Sequence, residues 1–345
     1  MKLEKEQAET NCDGKEVFFY TVDNGSVSFT ACNFGCTLTS LKVPSISGKI
    51  DDIVLGFSDF EGYKSGWDCF FGAVAGRFAN RIGGASFYAD GKKYNLDAND
   101  FGNTLHGGGI GYNRVVWDSD FTETEEGAGV RFTRISPAGE QGFPGELHLE
   151  ITYLLNKSNE LIMRYHAESD ALTPINLTNH SYFNLKGEGN GTVLDHILQI
   201  NADRILENDA KHIPTGTLLP VKETPFDFTS PKLIGTDFEK VPGGYDHCFC
   251  INGADSEKMI FCAEVFEPSS GRKLTVETNQ PGVQFYTGNY LSGITGKNGH
   301  QYFKQTGFCL ETQNYPDAVN KPDFPNPFIY PGKKYDKKTV FKLNF

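Results

Sequence analysis

Several large protein classes are excluded by what this chain lacks. It has no apolar run near the roughly 18 residues that a membrane helix needs. No run of Lys or Arg exceeds two residues, and the net charge is −12. Clustered cations are what phosphate binding requires, so neither nucleic acid nor an anionic membrane is an expected partner. There is no CxxC pair among the eight cysteines and no zinc-type spacing. The thiols read as reduced and the compartment as cytoplasmic. The opening Met1–Glu6 is polar, without the apolar stretch of a signal peptide. Five N-x-Ser/Thr sequons, at Asn24, Asn156, Asn176, Asn179 and Asn190, then read as chance matches. Neither a metal nor a cofactor is expected.

A long segment of helical period is also missing. What is present is glycine, 38 residues of it, punctuating aromatic and β-branched runs. Leu147, Leu149, Ile151 and Tyr153 alternate with polar residues, as do Val27, Phe29 and Ala31; Leu161, Met163, Tyr165 and Ala167 form a similar set, with Arg164, His166 and Glu168 on the opposite parity. Period two puts each set on one face of a sheet. Asp90-Gly91 and Lys157-Ser158-Asn159 carry hairpin chemistry. Short helical turns are expected near Asp59–Trp67 and Pro316–Val319, and long loops at 186–192 and 225–236. Strands without intervening amphipathic helices predict an all-β chain folded as a large antiparallel β-sandwich. No linker composition interrupts it, so residues 1–345 are expected to form a single domain, with 1–15 loosely ordered.

Five polar segments stand out. In residues 173–185, Asn176, Thr178 and His180 would share one strand face as a polar stripe suited to a many-hydroxyl ligand. Asn103–Gly109 places three glycines after His106, which lets backbone approach a ligand. Gly76–Gly84 carries Arg77, Asn80 and Arg81, where one arginine fits a structural salt bridge as readily as a substrate contact. Asp246 follows two glycines and suits paired hydroxyls or a turn cap. Glu311 closes the apolar run Phe308–Leu310 and reads as a carboxylate at the end of a buried strand.

In order along the chain, GRFANRIGG (76–84), NTLHGG (103–108), NLTNHSYFNL (176–185), GYDHCF (244–249), PGVQFYTGN (281–289) and LETQNYPDAVNKPDFPNP (310–327) closely resemble the aldose 1-epimerase, or galactose mutarotase, family from about residue 16 to the C-terminus. The resemblance implies the family's supersandwich fold and its chemistry, the interconversion of α and β anomers of free hexoses such as D-glucose and D-galactose. It assigns Glu311 as general base, His180 as general acid and His106 as a second active-site histidine at the ring oxygen or a hydroxyl. Asp246, Asn80, Arg81 and Gln284 match sugar contacts. Asn314 departs from the pattern, since many members carry His there.

Ring opening needs a base on the C1 hydroxyl and an acid on the ring oxygen, each within about 2.6–3.2 Å of its proton. An ionised Glu311 beside His180 is expected to raise the imidazole pKa and to be lowered in turn. Small-molecule aldoses are the expected partners, and the chain a monomer or weak homodimer. Rival readings are a glycosidase using Glu311 and Asp246 as its carboxylate pair, a non-catalytic sugar-binding protein, and a hexose-6-phosphate epimerase. The last would need cations beyond Arg77 and Arg81.

Overall fold

In the computed structural model, which describes residues 1–254 and 257–345, three antiparallel sheets carry the architecture. The largest has nine strands, running from Asp118–Thr124 through Gly127–Ser136, Leu147–Leu155, Glu160–Ser169 and Lys334–Asn344. It continues through Lys273–Thr278, Ile260–Phe266 and Ile197–Ile200 to Lys232–Leu233. A five-stranded sheet holds the first strands in chain order, Lys2–Gln7 to Ile50–Asp52. A second five-stranded sheet runs Pro214–Pro220, Arg204–Asn208, Asp246–Cys250, Gly282–Tyr286, Cys309–Gln313.

One continuous apolar cluster joins the three. Tyr20 and Phe29 from the first sheet, Ile151, Tyr153, Met163 and Tyr165 from the nine-stranded sheet, and Phe249 and Phe285 from the third all belong to it. Each such side chain contributes about 1.5–3 kcal/mol by leaving water. The alternation read from the sequence holds: residues 147, 149, 151 and 153 are buried, as are 161, 163, 165 and 167. Asp90 and Gly91 take positive φ between paired strands Ser86–Ala89 and Lys92–Asn95, as an I′-type hairpin requires.

The N-terminal segment differs from expectation. Lys2–Gln7 pairs along its whole length with Phe18–Asp23 and packs Leu3 against the core. Its charges disguise it, because Lys and Glu are how an edge strand is blunted against further pairing. The 225–236 loop likewise contributes Lys232–Leu233 as the sheet's last strand. The expected turns appear as a helix at Phe60–Ser65, capped by Asp59 Oδ1 on the Gly62 amide at 2.8 Å, and a 3₁₀ turn at Ala318–Asn320.

The third sheet positions the site. Val283, Phe285, Leu310 and Phe249 point into the core. The opposite parity carries Asp246, Cys248, Gln284, Tyr286, Cys309 and Glu311. Gln284 sits directly across the ladder from Glu311, Tyr286 from Cys309, and Asp246 from Tyr286. Pleating therefore gathers these six side chains on one face.

Candidate active site

That face is the floor of a cavity of about 250 Å³. Pockets for drug-sized ligands run to roughly 300–1,000 Å³, so this smaller space suits a monosaccharide. Glu311, His180, His106, Asn80, Arg81 and Asp246 all line it. Gln284 stands beside them and donates its amide to Asp246 Oδ1 at 2.6 Å. Aromatic walls complete it: Phe70, Tyr182, Tyr286 and Tyr290. A larger groove bounded by Lys338, Lys342 and Glu126 spends its charges on surface ion pairs.

His180 Nε2 lies 3.7 Å from Glu311 Oε1, and both side chains are nearly inaccessible. The two stand side by side. The His180 ring stacks on Tyr182 at 5.1 Å and meets the His106 ring edge-on at 5.4 Å. His106 is clasped by backbone: its Nδ1 accepts the Asn80 amide at 3.2 Å, and its own amide donates to the Asn80 carbonyl at 3.2 Å. Both residues have positive φ, which turns the two loops face to face. An Nδ1 that accepts leaves the imidazole proton on Nε2, so His106 is a fixed hydrogen-bond donor.

His106, His180 and Glu311 bring one ligand-type atom each within 4.8 Å of the others, so they are the metal-capable set among the described residues. A metal on His106 would have to take the nitrogen that carries the proton or displace the Asn80 amide. The donor set thus suits proton transfer and hydroxyl binding better than coordination.

The electrostatics correct one expectation. The sequence suggests a charged pair, yet burial holds His180 down to about 4. Glu311 is pushed well above the carboxylate range, first by burial and then by Asp246, with Arg81 opposing. His106 is lowered by burial and by its neighbours His180 and Arg81. Desolvation penalises each charged form, and at 3.7 Å the two partners are too far apart for a short charge-assisted bond to repay it. Glu311 Oε2 and Gln284 Oε1 are buried acceptors with no protein donor. Burial therefore favours a neutral imidazole beside a carboxylic acid.

Arg77 and Arg81, four apart, have separate fates. The Arg77 guanidinium is buried and holds the carbonyls of Ser136, Pro137, Pro144 and Gly145. The hydroxyls of Ser136 and Thr173 accept from it as well, and no carboxylate is among its described partners. Arg81 pairs through Nε with Asp100 at 2.7 Å and faces the cavity. The polar stripe also fails in part: Asn176 is consumed by Ala79 and Asn314, and neither it nor Thr178 lines the cavity. Asn314 fastens the 325–326 loop through its side-chain amide. Sequence reading missed Phe70, Tyr182, Tyr286 and Tyr290. Tyr182 had a signal, since it lies two residues from His180 and so shares its side of an extended segment.

Residues 19–342 match the family model described as aldose 1-epimerase. The galactose mutarotase of Homo sapiens is 48% identical over 314 residues, covering 90% of each chain. The aldose 1-epimerase of Escherichia coli (strain K12) is 34% identical over 96% of each. Among solved structures, galactose 1-epimerase from Lactobacillus acidophilus NCFM superposes with a TM-score of 0.87 at 29% identity, over 99% of this chain and 98% of that one.

Proposed function

The chain belongs to the aldose 1-epimerase family and acts as an aldose 1-epimerase, and from that premise we propose that Glu311 and His180 are the pair that opens and recloses the ring of a free hexose such as D-galactose or D-glucose. The observation that carries this is the orphaned Glu311 Oε2, a buried carboxylate oxygen with no protein donor. A sugar hydroxyl supplies the missing donor. Hydrogen bonds to a carboxylate favour its charged form, so a bound sugar draws the proton from Glu311 toward His180.

Glu311 then takes the proton of the C1 hydroxyl while His180 gives its proton to the ring oxygen. The C1–O5 bond breaks, and O1 becomes the aldehyde oxygen. Rotation about C1–C2 presents the other face, and closure runs the two transfers backwards. O1 and O5 are both bonded to C1, so an acid and a base 3.7 Å apart reach both. His106, as a neutral Nε2–H donor, holds the ring oxygen or a hydroxyl. Asp246, oriented by Gln284, accepts hydroxyl protons, and Asn80 and Arg81 contact the remaining ones.

A phosphorylated hexose is the poorer substrate. Arg81 is the cavity's cation among the described residues, it is already paired with Asp100, and Asp68, Asp246 and Glu311 stand around it. Polarimetry on fresh α-D-galactose and α-D-glucose tests the reading. Acceleration for both over buffer is expected. Acceleration confined to a hexose 6-phosphate would replace the substrate assignment.

A further inference from the structure

The strand Cys309–Gln313 delivers a second group to the catalytic imidazole. Cys309 Sγ lies 3.6 Å from His180 Nδ1, within reach of a sulfur hydrogen bond. Cys309 and Glu311 are two residues apart, so they emerge on the same sheet face. One addresses Nδ1 and the other Nε2 of the same ring. Tyr182 and Phe70 cover the ring faces at 5.1 and 5.7 Å. We propose that Cys309 is a positioning residue for His180, whose thiol holds Nδ1 and turns Nε2 toward Glu311 and the cavity. This rests on His180 being the proton-transfer group.

Cys309 is wholly buried, which pushes its thiol well above the usual range and keeps it uncharged. A neutral thiol orients an imidazole without stabilising the imidazolium as a carboxylate in that place would. His180 thereby stays ready to release a proton rather than hold it. The titratable and charged groups facing the ring are Glu311, His106, Tyr182, Tyr286 and Cys309. Asp246, Arg81, Asp68 and Cys69 complete the lining. Of these, Cys309 is the side chain that reaches Nδ1 among the described contacts, and it does so beside a hydrogen bond between the ring and the backbone of His180 itself.

The test compares Cys309→Ala and Cys309→Ser in the full chain. Two readouts are used: kcat and KM for α-D-galactose across pH, and imidazole nitrogen NMR of His180 without sugar. A weak hydrogen bond predicts a kcat loss of about three- to tenfold in Cys309→Ala, with KM unchanged. The pH profile and the His180 nitrogen shifts should both move, and serine should restore most of each. Wild-type kcat, profile and nitrogen shifts in Cys309→Ala would overturn the proposal. So would a serine variant as impaired as alanine, which would mark the thiol as packing alone. Should the wild-type chain fail to turn over sugar, the acid–base reading fails by itself, and the nitrogen shifts still report whether Cys309 grips the ring.

Discussion

Two buried glutamates in this molecule have been given opposite surroundings. Glu267 lies in the turn after strand Ile260–Phe266, where Oε1 accepts the Ser269 amide at 3.0 Å and its hydroxyl at 2.8 Å, and Oε2 accepts the Ser270 amide at 2.7 Å. Burial opposes its charge, but the hydrogen bonds from Ser270 and Ser269 win and hold it down to about 2. Glu311 is as little exposed but lies deeper and has none of these donors, so burial prevails. A satisfied carboxylate braces a turn. An unsatisfied one is costly to fold around unless something outside the chain completes it.

The sharpest way to break the contrast is Glu311→Gln. Its shape persists, but it takes no proton, so kcat for galactose should fall by about 10²–10⁴-fold while sugar still binds in the millimolar range. The urea midpoint should hold or rise, because an orphaned acid has been replaced by an amide. A variant that retains turnover while Asp246→Asn is dead would reverse the two carboxylates.

Next in size, His180→Asn should lose kcat by a similar factor, whereas His106→Asn should lose a larger share in KM. If the His106 change damages kcat more, the acid role passes to it. At Glu267 the expected effect is on folding. Glu267→Gln should cost about 1.5–3 kcal/mol in urea unfolding and leave kcat alone.

The smallest effect is on pH dependence. His180 has a depressed folded pKa, about 4 against an ordinary 6.5. Its contribution to stability is therefore intact above 6.5 and is lost as pH falls toward 4, where the unfolded chain binds the proton first. Glu267 is also depressed, so its contribution is intact above the ordinary carboxylate range and is lost only as pH falls through about 2. Thermal midpoints between pH 7 and 4 should decline in the wild type and decline less in His180→Asn. Equal slopes would mean that His180 takes up its proton at the same pH in the folded and the unfolded chain.

Much of this was readable beforehand. Strand alternation gave the architecture, because period two survives in any half-buried sheet. Six ordered segments resembling one family supplied the seven residues that meet around the cavity. Charge states were not readable. They depend on how much water reaches Glu311 and His180, which is a property of the closed pocket. Nor was the fate of Arg77, whose carbonyl partners lie 59 to 68 positions away. Asn176 looked like a ligand group for the same reason: a buried amide reads alike whether a sugar or the Ala79 carbonyl satisfies it.

The ladder between Gly282–Tyr286 and Cys309–Gln313 has a kinetic corollary. The register sets Gln284 opposite Glu311. Sliding by a single residue would send Leu310 and Thr312 to the cavity and bury Glu311 in the core. Such a chain would keep its β content and much of its compactness, yet it would turn over nothing. During refolding from denaturant, regained polarimetric activity therefore counts correctly zipped molecules, and a slipped seam would show as activity lagging behind the recovery of β-sheet circular dichroism.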